Sequence, residues 1–134
     1  MVDTDVQTDL AGISLAAAWE LVRPFTLVAP ALGMLSGAVT AYGAYPRYLH
    51  EGPSTHAWAR DLVVGSLAAG LLNGASNVLN QVFDLSIDRI NKPSRVLPSG
   101  RMSTRSALRL AVALYVGSLA AAATVNASVL VLFA

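Results

Sequence analysis

Six polar residues between Asn73 and Asp88 carry the chemistry this chain can do: Asn73, Asn77, Asn80, Gln81, Asp84 and Asp88. On an α-helix each residue advances by about 100°. With Asn73 at zero, Asn77 falls near about +40°, Asn80 near −20°, Gln81 near +80°, Asp84 near +20° and Asp88 near +60°. All six fit one arc of about 100°. The remaining surface is Leu71, Leu72, Val78, Leu79, Val82, Phe83, Leu85 and Ile87, with Ser76 and Ser86 between them. The spacing predicts an apolar helix with one polar stripe ending in two carboxylates one turn apart. Such a pair can share one divalent cation or hold two side by side. Hard oxygen donors suit Mg²⁺, which keeps several waters and is usually completed by substrate phosphates.

A basic stretch follows the stripe: Arg89, Lys92, Arg95, Arg101 and Arg105. Pro93 ends or bends the helix, and Lys92 before it is biased away from the α region. Pro98-Ser99-Gly100 is a turn signal. Carboxylates for a metal beside cations for an anion make the chemistry of a diphosphate site. The string Asn80-Gln81-x-x-Asp84-x-x-x-Asp88, then Asn91-Lys92-Pro93-x-Arg95 and Pro98-Ser99-Gly100, resembles the first aspartate-rich motif of the UbiA superfamily of intramembrane prenyltransferases. A bare D-x-x-x-D is weak, but the extended string inside an apolar segment is specific.

The resemblance implies Mg²⁺-dependent transfer of a prenyl group from its diphosphate to an aromatic or lipid acceptor in the bilayer, as in isoprenoid biosynthesis. By resemblance Asp84 and Asp88 are the catalytic pair, and they hold Mg²⁺ together with Asn80. Lys92 and Arg95 contact the diphosphate, as does Arg23 in Arg23-Pro24. Asn73, Asn77 and Gln81 are expected to line the cavity. The short spacing from Asp88 to Asn91-Lys92-Pro93 resembles the branches acting on glyceryl ether lipids, chlorophyllide or homogentisate more than the 4-hydroxybenzoate branch. Two departures stand out. Val96 occupies a place where family members often have proline. The family also carries a second aspartate-rich motif, whereas no Asp or Glu follows Asp88 here. The chain is therefore expected to be the N-terminal part of a single prenyltransferase domain, inactive alone.

Composition sets what must position these residues. Of 134 residues, 13% are charged and 54% apolar, against about 25% charged in soluble domains. A soluble domain of this size cannot hide so much apolar surface. The net charge of +1 does not point to nucleic acid, and no nucleic-acid partner is expected. Without cysteine neither a disulfide framework nor a thiolate metal site exists.

The expected architecture is all-α, a multi-pass transmembrane bundle. A tail and interfacial lead-in occupies 1–20, membrane helices 24–45, 62–88 and 106–125, and a cut fourth helix begins over 127–134. Pro24 to Tyr45 and Leu62 to Phe83 are uncharged, each long enough for about 30 Å of hydrocarbon. Pro30 is expected to kink the first, and Gly33-x-x-x-Gly37 to support close packing. His50-Glu51 and His56 lack the H-E-x-x-H spacing of a metalloprotease, and Gly52-Pro53 would break the helix that motif needs. The second connection holds five basic residues and the first only Arg47 and Arg60. The motif loop and N-terminus are therefore expected on the cytoplasmic side of the cell membrane. Two other readings compete. CDP-alcohol phosphotransferases need glycine directly after an aspartate of the pair, which neither Asp84 nor Asp88 has. A transport or structural protein could instead line an ion path with the stripe.

Overall fold

The computed structural model describes residues 14–44 and 54–134. The described residues form helices α1 (Leu15–Val22), α2 (Val28–Ala44), α3 (Thr55–Phe83), α4 (Leu85–Asn91), α5 (Thr104–Val125) and α6 (Ala127–Phe133), with a 3₁₀ turn over Pro24–Leu27. Among the described residues, three helical stretches are long and apolar enough to cross a membrane: Pro24–Ala44, Thr55–Phe83 and Thr104–Val125. At about 1.5 Å per residue the third is about 33 Å long and matches the hydrocarbon. Thr55–Phe83, at 29 residues, exceeds that thickness, so its ends reach beyond it or the helix tilts.

Three expectations change. Residues 14–22 are not merely a lead-in. They form α1, whose Ala17, Ala18 and Leu21 are buried. The helix expected over 62–88 starts earlier and is interrupted at Asp84, where φ is −83° and ψ 3°. Neighbouring Arg60 and Asp61 pair at 2.6 Å, so α3 carries both charges ahead of its apolar stretch. Pro30 is not a mid-helix kink, because α2 begins at Val28 after the 3₁₀ turn. Proline therefore falls in the first turn, where its missing N–H costs little. The tail and His50-Glu51 lie outside the described residues.

The described residues fall into two compact units. One joins the residues up to Pro24 to Gly74–Leu114, and the other joins Phe25–Asn73 to Tyr115–Ala134. In the first, the core gathers Ala17, Ala18 and Leu21 of α1, Val78 of α3, and Ala107 and Ala111 of α5, with Val96, Leu97 and Met102 from the loop between α4 and α5. Alanines at these contacts let helix backbones approach closely. The loop is consequently not a solvated excursion, since Val96 and Leu97 plug it into the core. Ser103 caps α5, its Oγ accepting from the Ser106 amide at 3.0 Å.

In the second unit the buried Ser118 hydroxyl donates to the Ala68 carbonyl at 2.9 Å, a hydrogen bond between α5 and α3 of the kind that joins membrane helices. The Tyr42 and Trp58 rings lie 5.2 Å apart. A Cβ on Gly65 would come within 2.8 Å of Met34 Cε, whereas Gly33 and Gly37 face open space. Gly65 thus receives the tip of the Met34 side chain, and the expected Gly33-x-x-x-Gly37 face takes no packing contact among the described residues. Asn126 caps α6, its side chain accepting from the Val129 amide. Leu32, Leu35, Val39, Val63, Leu67 and Val131 are exposed, as suits helices solvated by lipid.

Candidate functional site

The end of α1 shapes the site. Pro24 cannot continue the helix, and Arg23 turns it off in the left-handed conformation, with φ 55° and ψ 64°. The Arg23 amide still reaches the Trp19 carbonyl at 3.3 Å. The last carbonyls of a helix have no partner within it. Here α3 supplies the donors. Gln81 Nε2 donates to the Leu21 carbonyl at 2.7 Å and Asn77 Nδ2 to the Val22 carbonyl at 2.9 Å. In the other unit, Asn73 Nδ2 donates to the carbonyl and Oγ1 of Thr26, each at 3.2 Å. The three amides expected to line a cavity thus hold the backbone at Leu21, Val22 and Thr26. Arg23 directly follows the two carbonyls held by Gln81 and Asn77, which keeps its backbone beside the stripe.

The oxygens expected on a metal come next along the stripe. Although the helix is interrupted at Asp84, the Asp84 amide donates to the Asn80 carbonyl at 2.9 Å and the Asp88 amide to the Asp84 carbonyl at 2.8 Å. The one-turn spacing of Asn80, Asp84 and Asp88 is thereby retained. Asn80 and Asp84 are exposed, and neither side chain makes a hydrogen bond or ion pair among the described residues. Asp88 is buried at 5% exposure, with Oδ2 2.6 Å from Arg95 Nη1. The structure thus joins Asp88 to one of its predicted cationic neighbours. Lys92 is exposed and closes α4, its amide bonded to the Asp88 carbonyl at 2.8 Å.

The described residues contain no cluster of three His, Cys, Asp or Glu side chains able to cage a metal. The donor set does fit a Mg²⁺ whose shell is shared. Asn80 and Asp84 offer uncommitted oxygens, and Asp88 keeps one that Arg95 does not take. Water and phosphate oxygens ordinarily fill the rest of such a shell.

Turns place Arg95. The Arg95 amide donates to the Lys92 carbonyl, and the Ser99 amide and hydroxyl donate back to the Arg95 carbonyl at 3.0 and 2.6 Å. Gly100 then takes φ +74°, a left-handed turn that glycine enters without a Cβ penalty. Beyond it, Arg101 spans to Glu20 of α1 with two hydrogen bonds of 2.8 Å. Sequence reasoning missed this pair, since Arg101 reads as a topogenic charge. The available signal is that Glu20 is the one acidic residue between Asp9 and Glu51.

Comparison with known proteins agrees with this architecture. The family model described as the UbiA prenyltransferase family matches residues 38–134. A digeranylgeranylglyceryl phosphate synthase of Saccharolobus solfataricus is 30% identical over 120 residues, covering 90% of this chain and 39% of that protein. Its namesake from Halobacterium salinarum is 42% identical over 106 residues, covering 78% of this chain and 34% of that protein. A solved structure from work on digeranylgeranylglyceryl phosphate synthase in membranes matches with a TM-score of 0.73 at 25% identity, covering 89% of this chain and 39% of that one. The chain thus spans well under half the length of these relatives.

Proposed function

The chain belongs to the UbiA prenyltransferase family, and on that premise we propose that it supplies the diphosphate-handling part of a membrane enzyme that transfers a prenyl group from a prenyl diphosphate to a hydrophobic acceptor. One observation carries this reading. Asn80, Asp84 and Asp88 follow at one-turn spacing from α3 into α4, and Asp88 Oδ2 lies 2.6 Å from Arg95 Nη1. Among acceptors, a lipid bearing a glycerol phosphate is favoured over an aromatic ring, because the relatives compared are named for such a lipid.

Breaking an allylic C–O bond leaves a carbocation and a diphosphate that has gained negative charge. The catalytic task is to stabilise that charge where it develops. Asn80, Asp84 and Asp88 are the residues that would hold Mg²⁺, which when bound neutralises diphosphate oxygens. Lys92, Arg95 and Arg23 bind the same anion from the protein side. Arg95 suits this role because its guanidinium presents several donors in a planar fork and stays charged. Asp88 orients Arg95 through one oxygen while the other remains a metal donor. Apolar walls must exclude the water that would quench the cation. Grooves of about 330 and 360 Å³ run along α2 and α3, lined by Leu27, Ala31, Leu35, Leu67 and Leu71 among others. Their hydrocarbon lining suits an isoprenoid chain. The basic motif loop faces the cytoplasm, with the chain in the cell membrane.

The test is binding of a non-hydrolysable prenyl diphosphate analogue to the full-length protein in detergent, with Mg²⁺ or with chelator. Binding that needs the metal and vanishes in Asp84→Ala, while membrane insertion persists, supports the reading. Binding indifferent to both, as for a transporter, overturns it.

A further inference from the structure

We propose that Arg101 is a positioning residue for the diphosphate site, clamping its two cationic segments to each other through Glu20; this rests on the function proposed above. The two segments are the loop bearing Lys92 and Arg95, and the end of α1 bearing Arg23. Arg101 uses all three of its guanidinium nitrogens. Nη1 and Nη2 donate to the two oxygens of Glu20 at 2.8 Å each. Nη2 also donates to the Ser94 carbonyl at 3.1 Å, and Nε to Ser99 Oγ at 3.2 Å. Ser94 and Ser99 bracket Arg95 in sequence. The same Ser99 hydroxyl donates to the Arg95 carbonyl at 2.6 Å. One guanidinium therefore holds the backbone before Arg95 and, through one serine, the carbonyl of Arg95 itself.

The other end of the clamp is equally pointed. Glu20 lies one turn before Arg23, and the next two carbonyls, of Leu21 and Val22, are fixed by Gln81 and Asn77 of α3. A displacement of the loop relative to α1 would change the distance between Arg95 and Arg23. The Arg101 guanidinium holds the Glu20 carboxyl below the usual carboxylate range, so the clamp is charged near neutral pH. The pair is half exposed, and such pairs add little to global stability. What it offers is geometry, because the two-pronged contact of arginine with a carboxylate fixes orientation as well as distance.

The experiment compares wild type, Arg101→Gln, Arg101→Lys and Glu20→Gln in the full-length protein. Amide hydrogen exchange reads the clamp without reference to function. The amides of Arg95, Ser99, Gly100 and Arg101 are bonded within the loop, and in Arg101→Gln they exchange faster while those of α3 and α5 do not. Steady-state kinetics read the site. Supporting residues behind metal ligands typically contribute about 10–100-fold in affinity or activity. Arg101→Gln is accordingly expected to raise KM for the prenyl diphosphate by about 10-fold or more, with a smaller change in KM for the acceptor. Arg101→Lys, which keeps the charge but not the fork, falls between. Unaltered loop exchange, or a wild-type KM for the diphosphate in Arg101→Gln, overturns the clamp. Failure of wild type to bind prenyl diphosphate overturns the proposed function instead, and the exchange result then still decides whether Arg101 holds the loop.

Discussion

Asp84 and Asp88 sit one turn apart with the same chemical group, yet replacing them should have different consequences for stability. Asp88 is buried, its side chain 7% exposed, and its partner Arg95 is 29% exposed. Removing one member of a fully buried pair costs about 3–5 kcal/mol, and a solvent-exposed pair is worth about 0–1 kcal/mol. Arg95 retains some contact with water, and Asp88→Asn leaves an oxygen that can still accept its hydrogen bond. Both points move the expected loss toward the middle, to about 1–2 kcal/mol. That is about a 5–30-fold change in the folded-to-unfolded ratio. Asp84 is exposed and its side chain has no partner among the described residues, so Asp84→Asn should stay within about 0.5 kcal/mol of wild type. Both variants should lose Mg²⁺-dependent binding of the prenyl diphosphate analogue. The assay is reversible unfolding of the full-length protein in mixed micelles, in a double-mutant cycle with Arg95→Gln. A coupling of about 1–2 kcal/mol between positions 88 and 95 is expected. Equal losses for Asp84→Asn and Asp88→Asn, or no coupling of Asp88 to Arg95, would refute the reasoning.

Two further substitutions separate scaffold from chemistry. Gln81→Glu keeps the shape but replaces the donor to the Leu21 and Asn77 carbonyls with an acceptor in a buried place; unfolding should show a loss of about 1–3 kcal/mol, and a neutral effect would mean that the amide is not holding α1. Arg23→Gly frees a left-handed position that costs a side-chain-bearing residue about 1 kcal/mol. Titration of that variant with the diphosphate analogue should show affinity lower by about 10-fold, the worth of one charge-assisted contact.

The membrane helices were legible because their signal is local and additive. The uncharged runs Pro24 to Tyr45 and Leu62 to Phe83 overlap two of the stretches long and apolar enough to cross a membrane. The beginning of α3 was not legible. An uncharged window measures hydrocarbon, whereas a helix tolerates an adjacent Arg60–Asp61 pair once it leaves it. Helix α1 escaped notice for a different reason. Eight residues are too few to be stable in isolation, and what holds its end are amides from Gln81 and Asn77, dozens of residues away. Arg101 and Glu20 are 81 positions apart, so no spacing rule connects them. The acidic end of the stripe lay at the other extreme: helical periodicity alone led to the expectation of Asn80, Asp84 and Asp88 on one arc, and the backbone bonds across Asp84 keep their one-turn spacing.

The order of groups along the stripe follows from what each turn meets. At Asn77 and Gln81 the neighbour is the carbonyl end of α1, which carries the negative pole of that helix. A carboxylate there would be repelled and could donate nothing, so only an amide or a cation serves, and an amide does so without a charge to desolvate. Two turns beyond Gln81 the neighbour is a cation. Asp88 meets Arg95 at 2.6 Å, and an amide in its place would leave that guanidinium without a counter-charge. Asn80 and Asp84 meet neither, and their oxygens are exposed. A polar group near the membrane with no protein partner is costly unless it has other work. The six residues of one arc therefore divide by environment. The amides that meet carbonyls build the scaffold, and the oxygens left without an internal partner are those free to meet a ligand.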